Sequence, residues 1–274
     1  MTDAFEYPSV TELIQAFRQG RLSPEDAAEA ALARIKTTEP TLNAFQLVDE
    51  AGAREAAVAS AKRWAEGRPL GPMDGIPLSI KDIVAMKNWP TLSGSKTVDT
   101  NGPFDEDAPA VARLREGGAV ILGKTTTPEF GWKGMTDSPL AGITRNPWNP
   151  AHTSGGSSGG AAASLAAGIG AIAYGTDGGG SIRIPSNYCG VYGIKPTYGR
   201  VPHAPNDRPF STISSGGPIA RTVTDAALFL NVITQPDDRD WRALPPDGRD
   251  YRIGLDDGVR GLRIAYAPAL GGAE

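Results

Sequence analysis

Lys81 lies in Gly75-Ile76-Pro77-Leu78-Ser79-Ile80-Lys81-Asp82-Ile83, at the end of an apolar run that reads as a strand. A lysine in that setting is partly desolvated, which lowers its pKa and lets the neutral amine accept a proton. It is a base that needs no histidine. The competing reading is an ordinary ion pair of Lys81 with Asp82 or Asp74 at the surface. Two glycine-rich strings carry serines. Gly178-Gly179-Gly180-Ser181 presents consecutive peptide N–H groups with no side chains in the way, so a carbonyl can approach closely and its developing negative charge can be held by several donors. In Gly155-Gly156-Ser157-Ser158-Gly159-Gly160 a serine sits among neighbours that permit backbone conformations other residues resist. A serine nucleophile, a lysine base and amide donors together make acyl-transfer chemistry. Structural glycine loops are the alternative for both strings.

Three further matches to known patterns are open alternatives that their surroundings disfavour. Gly118-Ala119-Val120-Ile121-Leu122-Gly123-Lys124-Thr125 fits the phosphate-loop pattern letter for letter, but its spacer residues read as a strand and Thr125-Thr126-Thr127-Pro128 is a poor helix start. Gly168-Ile169-Gly170-Ala171-Ile172-Ala173 resembles a dinucleotide fingerprint yet precedes a strand instead of opening a helix. Gly155 to Gly159 fits the G-x-S-x-G elbow, but the turn-forming Asn146-Pro147-Trp148-Asn149-Pro150 leads into it where a buried strand is required. A histidine base for that elbow would have to be His152 or His203. Both sit in proline-bounded loops and read as surface or hydrogen-bonding residues.

The elements that must position these groups are legible in outline. Ser9-Val10-Thr11-Glu12 and Ser23-Pro24-Glu25-Asp26 each place a hydroxyl cap three residues before an acid and start helices. An alanine-rich helix runs from about Asp49 to Glu66. From there strands and helices alternate: Ile76–Val84 as strand, Ala108–Glu116 as helix, Ala119–Leu122 as a buried strand, Gly160–Ala167 as helix, Ile169–Tyr174 as strand and Thr222–Thr234 as helix. This alternation predicts an α/β layered fold around a mixed or parallel sheet, with a helical N-terminal segment packed on its side. Leu262-Arg263-Ile264-Ala265-Tyr266 reads as a strand entering a new unit. Only eight residues follow it, so the chain is expected to be a C-terminally incomplete fragment.

Composition bounds the function classes. Hydrophobic residues make up 40% of the 274, enough for a sizeable core, and 27 basic against 31 acidic side chains give a net charge of −4 without blocks of one sign. Nothing electrostatic favours nucleic acid or an anionic membrane. The single cysteine, Cys189, cannot form an internal disulfide, and the opening MTDAFEYPSV lacks signal-peptide features, so the expected compartment is the cytoplasm. The longest apolar run, Ala161 to Tyr174, is mostly alanine and glycine and falls short of the roughly 20 residues of a membrane span. Glycine is in excess, at 34 residues, and clusters in the two serine-bearing strings.

Four segments, in order and spacing, resemble the amidase signature family. They are Gly75 to Asp82, Gly155 to Gly160, Gly175-Thr176-Asp177-Gly178-Gly179-Gly180-Ser181-Ile182-Arg183-Ile184-Pro185-Ser186, and Cys189-Gly190-Val191-Tyr192-Gly193-Ile194-Lys195-Pro196-Thr197-Tyr198-Gly199-Arg200. The resemblance spans roughly Leu70 to Thr234. It implies one domain: a helical N-terminal segment over 1–70, the signature core over 71–235 with a central mixed sheet flanked by helices, and the start of a variable C-terminal part over 236–274. It also implies a Ser-Ser-Lys triad, with Ser181 as nucleophile, Ser157 as bridging serine after a cis peptide bond from Gly156, and Lys81 as base. The oxyanion donors map onto the N–H groups of Gly178, Gly179, Gly180 and Ser181, and Ser158, Asp177 and Arg183 form a supporting shell.

The chemistry implied is hydrolysis of a carboxylic amide through an acyl-enzyme, with no metal or organic cofactor. The partner is a small-molecule amide, with no nucleic acid or membrane, and self-association as a homodimer is open. Thr125 to Trp132 and Met135 are candidates to line an apolar substrate channel, favouring an aryl or aliphatic monoamide; Phe130 and Trp132 as ordinary core is the alternative. A second reading is the glutaminase component of a tRNA-dependent amidotransferase. Gly131-Trp132-Lys133-Gly134 departs from the Phe-Ala-Met-Gly type of sequence associated with that component. The third is a non-catalytic module or inactive fragment.

Overall fold

A computed structural model describes residues 7–205 and 212–267. In chain order its elements are α1 (Val10–Arg18), α2 (Pro24–Leu42), β1 (Phe45–Val48), α3 (Glu50–Ala65), β2 (Pro77–Lys81), α4 (Pro109–Glu116) and β3 (Val120–Thr125). There follow β4 (Asp137–Ser138), β5 (Gly142–Ile143), α5 (Gly159–Ala166), β6 (Ile172–Asp177), α6 (Arg183–Cys189), β7 (Tyr192–Gly193), β8 (Ser215–Ala220) and α7 (Val223–Ile233). Both predicted capping boxes form, at Ser9 with Glu12 and at Ser23 with Asp26, and Asp49 and Thr222 cap α3 and α7.

Six strands form one sheet in the order β1-β3-β2-β6-β8-β7, with β4 and β5 as a separate hairpin. The central β3, β2 and β6 are parallel, while β1 and β8 run antiparallel to their neighbours, so the sheet is mixed. Parallel strands need both faces covered. One face carries Leu78, Ile80 and Ile172 packed with Val10, Leu13, Leu114 and Phe229 from α1, α4 and α7. The other carries Val120, Leu122 and Ala173 against Leu32, Ile35 and the alanines of α5.

The predicted strand over Ile169–Tyr174 begins later, at Ile172, because Gly168 and Gly170 take positive φ values of 75° and 70° that break extended pairing. The strand expected at Leu262–Tyr266 does not form. Leu262, Ile264 and Tyr266 are 67%, 76% and 87% exposed, and among the described residues no neighbouring strand supplies the ladder that an extended segment needs. β8 was not foreseen: Ser215-Gly216-Gly217-Pro218 reads as a turn, yet it pairs antiparallel along the whole of β6.

Candidate active site

The carboxyl ends of the parallel strands β2 and β6 meet the N-terminus of α5, at the edge of the sheet where open α/β folds bind ligands. Lys81 is the last residue of β2 and is fully buried. Its Nζ donates to Ser157 Oγ at 2.7 Å and to Thr176 Oγ1 at 3.0 Å. The surface ion pair is not made: Asp82 pairs with Lys124 at 3.1 Å, and Asp74 with Arg63 at 2.6 Å. Burial without a carboxylate partner in contact draws the Lys81 amine down to about 7, against a weaker upward pull from Asp177. At neutral pH it is poised to take or give a proton.

Ser157 follows a cis peptide bond from Gly156 and is 2% exposed. A side chain at 156 would lie 2.7 Å from the Met135 backbone, so only glycine fits there. Ser158 laces the site together. Its N–H donates to the Ser181 carbonyl at 3.0 Å, and its hydroxyl donates to Thr176 O at 3.2 Å and accepts from Thr176 N–H at 3.3 Å. Ser181 stands on the turn between β6 and α6, on the wall of the same cavity as Ser157 and Thr176. Among the described residues no hydrogen bond joins the Ser157 and Ser181 hydroxyls.

That turn is organised by Asp177. Its fully buried carboxylate accepts from the N–H groups of Gly180 at 2.7 Å and of Ile182 and Arg183 at 3.2 Å each. Arg183 Nε and Nη2 add two bonds at 2.9 Å. Burial alone would raise this carboxyl; the Arg183 guanidinium and the three amides outweigh it and hold it at about 2. The Gly180 amide is therefore committed to Asp177. Of the four expected oxyanion donors, this leaves Gly178, Gly179 and Ser181, all on the cavity wall. Gly180 instead serves geometry: its φ is 116°, and a Cβ there would meet Ile184 at 2.8 Å.

The cavity measures about 760 Å³ and its wall is mainly apolar. Phe130, Gly131 and Trp132 reach it, so Phe130 and Trp132 are not core: they are 45% and 82% exposed. Thr125, Thr126 and Thr127 do not line it; they are buried at and just beyond the end of β3, and Met135 also lies outside its wall. His203 also lines it, its backbone N–H donating to Asp240 at 2.8 Å, and His152 sits in an exposed loop. The phosphate-loop match is occupied by structure. Lys124 is fully buried, paired with Asp82, and donates to the carbonyls of Val84 and Pro90 at 3.1 Å each. Cys189 is buried, which pushes its thiol up to about 12 and keeps it unreactive. Thr176 was missed from sequence; the available signal was its place one residue before Asp177, at the end of a strand aimed at the glycine turn.

The chain is 42% identical to an acylamidase of Rhodococcus erythropolis over 96% of its length and 55% of that protein's. It is 43% identical to a glutamyl-tRNA(Gln) amidotransferase component of Chloroflexus aurantiacus over 93% of its length and 52% of that protein's. A bacterial aryl acylamidase of the amidase signature enzymes superposes with a TM-score of 0.86 at 36% identity, covering 93% of this chain and 53% of that one. The chain thus spans about half the length of the curated relatives it matches. The Amidase family model matches residues 26–274, and the chain belongs to the amidase signature family.

Proposed function

We propose that this chain carries the catalytic centre of a hydrolase of linear carboxylic amides, with Ser181 as nucleophile, Ser157 as bridge and Lys81 as base. One observation carries the reading: a fully buried lysine near neutrality, bonded at 2.7 Å to a serine on the same cavity wall as a second serine in a glycine turn. Neutral Lys81 takes a proton from Ser157 as Ser157 takes one from Ser181. Ser181 Oγ attacks the amide carbon, and the oxyanion faces the N–H groups of Gly178, Gly179 and Ser181. Ser157 then protonates the leaving nitrogen with the proton returned from Lys81, the C–N bond breaks, and ammonia or an amine departs. Water adds along the same path, releasing the acid and restoring Ser181. Catalytic hydrogen bonds often tighten only when substrate is seated, which accounts for the unjoined serines. The apolar wall favours neutral aryl or aliphatic monoamides.

A serine-directed fluorophosphonate tests this directly. It should label Ser181 of the unsubstituted chain, fail on Ser181→Ala, and lose most of its rate on Lys81→Ala. A folded chain that takes no label overturns the reading in favour of an inert module. Ammonia release from glutamine that appears only with added amidotransferase partner proteins would replace it with the glutaminase reading.

A further inference from the structure

The floor of the cavity carries a polar group that neither the proton path nor the Asp177 turn uses. Tyr174 lies on β6 two residues before Thr176, so both side chains leave the strand on one face. Its residue is 2% exposed and its ring packs on Phe229 with centroids 6.4 Å apart, yet it lines the same cavity as Ser157 and Ser181. The phenol oxygen hydrogen-bonds to no described residue. A phenol oxygen that opens on the cavity and has no partner among the described residues is free to meet a ligand atom there.

The register shows where that hydroxyl sits. Across β6 and β8, Tyr174 faces Pro218 and Thr176 faces Gly216. A Cβ on Gly216 would fall 1.8 Å from the Tyr174 oxygen. The tyrosine therefore leans along the sheet past its own pair, and its hydroxyl lies at the level of Thr176, whose Oγ1 is 3.0 Å from Lys81 Nζ. Gly216 is the space that admits it. Around it Val84, Met86 and Val201 belong to one packed apolar cluster that also forms cavity wall. Burial raises the phenol pKa, so the group stays an O–H donor throughout the neutral range.

Resting on the hydrolase reading above, we propose that Tyr174 determines acyl specificity, donating its hydroxyl to a second oxygen, as ether, hydroxyl or carbonyl, borne by the acyl chain beyond the scissile carbonyl. Amides of oxygen-bearing acids are then preferred to those of plain hydrocarbon acids, whose chains leave the phenol unpaired.

Binding to Ser181→Ala tests this without requiring turnover. Hexanamide and its 3-oxa, 4-oxa and 5-oxa analogues, in which one ether oxygen replaces one methylene, are titrated calorimetrically. One ether isomer should bind about fivefold tighter than hexanamide, the size of one net neutral hydrogen bond. Adding Tyr174→Phe should bring that isomer within about twofold of hexanamide, which itself binds no more weakly once there is no phenol for its chain to leave unpaired. Gly216→Ala, which displaces the ring, should erase the same preference. Thermal unfolding of Tyr174→Phe should match its parent, because the hydroxyl holds no partner among the described residues. Absence of any ether preference, its survival in Tyr174→Phe, or equal weakening of all four amides overturns the assignment. Turnover of hexanamide by the unsubstituted chain judges the hydrolase reading separately. Ether preference without turnover sinks that reading alone, turnover without preference sinks Tyr174 alone, and no binding by any amide sinks both.

Discussion

Burial is what lets the Lys81 amine lose its proton near neutrality, as the proposed base must. An exposed lysine is an amine in only roughly one molecule in three thousand at pH 7. With its pKa near 7, Lys81 is divided about evenly. Its two hydrogen bonds fix where the lone pair points, and Thr176 supplies one of them. Hydrogen bonds from a charged donor are stronger than those from a neutral one, so Thr176 favours the ammonium over the amine. Thr176→Val should therefore move the acid limb of the pH–rate profile to lower pH, while poorer aim lowers the plateau rate about tenfold. Fluorophosphonate labelling from pH 5 to 9 reads both, and an acid limb that stays in place would deny Thr176 any contact with the titrating amine. Lys81 was legible as a candidate because a cation closing an apolar run is chemically anomalous. Thr176 was not, because a threonine in a strand is ordinary and only the fold brings it to the amine.

At the scale of elements, each functional group stands at an element's end, and the ends are held by carboxylates from elsewhere. Asp177 holds the start of α6, and Asp225 does the same for α1 from 214 residues away. Its carboxylate accepts from Val10 N–H at 3.0 Å and Thr11 N–H at 3.1 Å, the first-turn amides that Ser9 does not reach. Asp225→Ala leaves one buried and one half-buried donor unpaired and should cost about 2 kcal/mol. Hydrogen exchange should localise the loosening to α1; uniform protection across the chain would show that α1 is held by its apolar face alone. Local caps such as Ser9 with Glu12 were legible because both partners lie within one turn, whereas this distant cap carries no local signal. β8 was hidden for a related reason. Gly216 and Gly217 are needed because Tyr174, Ile194 and Pro196 crowd them, and Pro218 is tolerated because the two-residue β7 pairs only with Ile219 and Ala220. Close approach by distant residues selects a composition that, read locally, spells a turn. At 262–266 the error ran the other way: alternation predicted a strand where the segment pairs with neither edge of the sheet among the described residues.

For the whole molecule, the buried Lys81 is a burden on folding that pH can remove. The Lys81 pKa falls from 10.5 unfolded to about 7 folded. Below about pH 7 both states hold the proton and the folded state bears the full penalty of a buried ammonium. Between 7 and 10.5 the unfolded chain binds more protons, so this contribution to stability climbs with pH, and above 10.5 the penalty is gone. Asp177 acts at the other end: its pKa is depressed to about 2, so the stability it contributes is present above 3.8 and lost as pH falls toward 2. Many other groups titrate as well, but comparison with Lys81→Met cancels those the two chains share. At pH 6 the methionine variant should be the more stable by a few kcal/mol, somewhat offset by the Ser157 and Thr176 hydroxyls it leaves unpartnered. The gap in thermal midpoint, several degrees at pH 6, should shrink steadily toward pH 10. The same variant should lose fluorophosphonate labelling at every pH, which is the trade expected where a destabilising group is kept for its chemistry. A gap that stays constant from pH 6 to 10 would mean that Lys81 keeps its proton throughout, and an amine that never deprotonates cannot be the base.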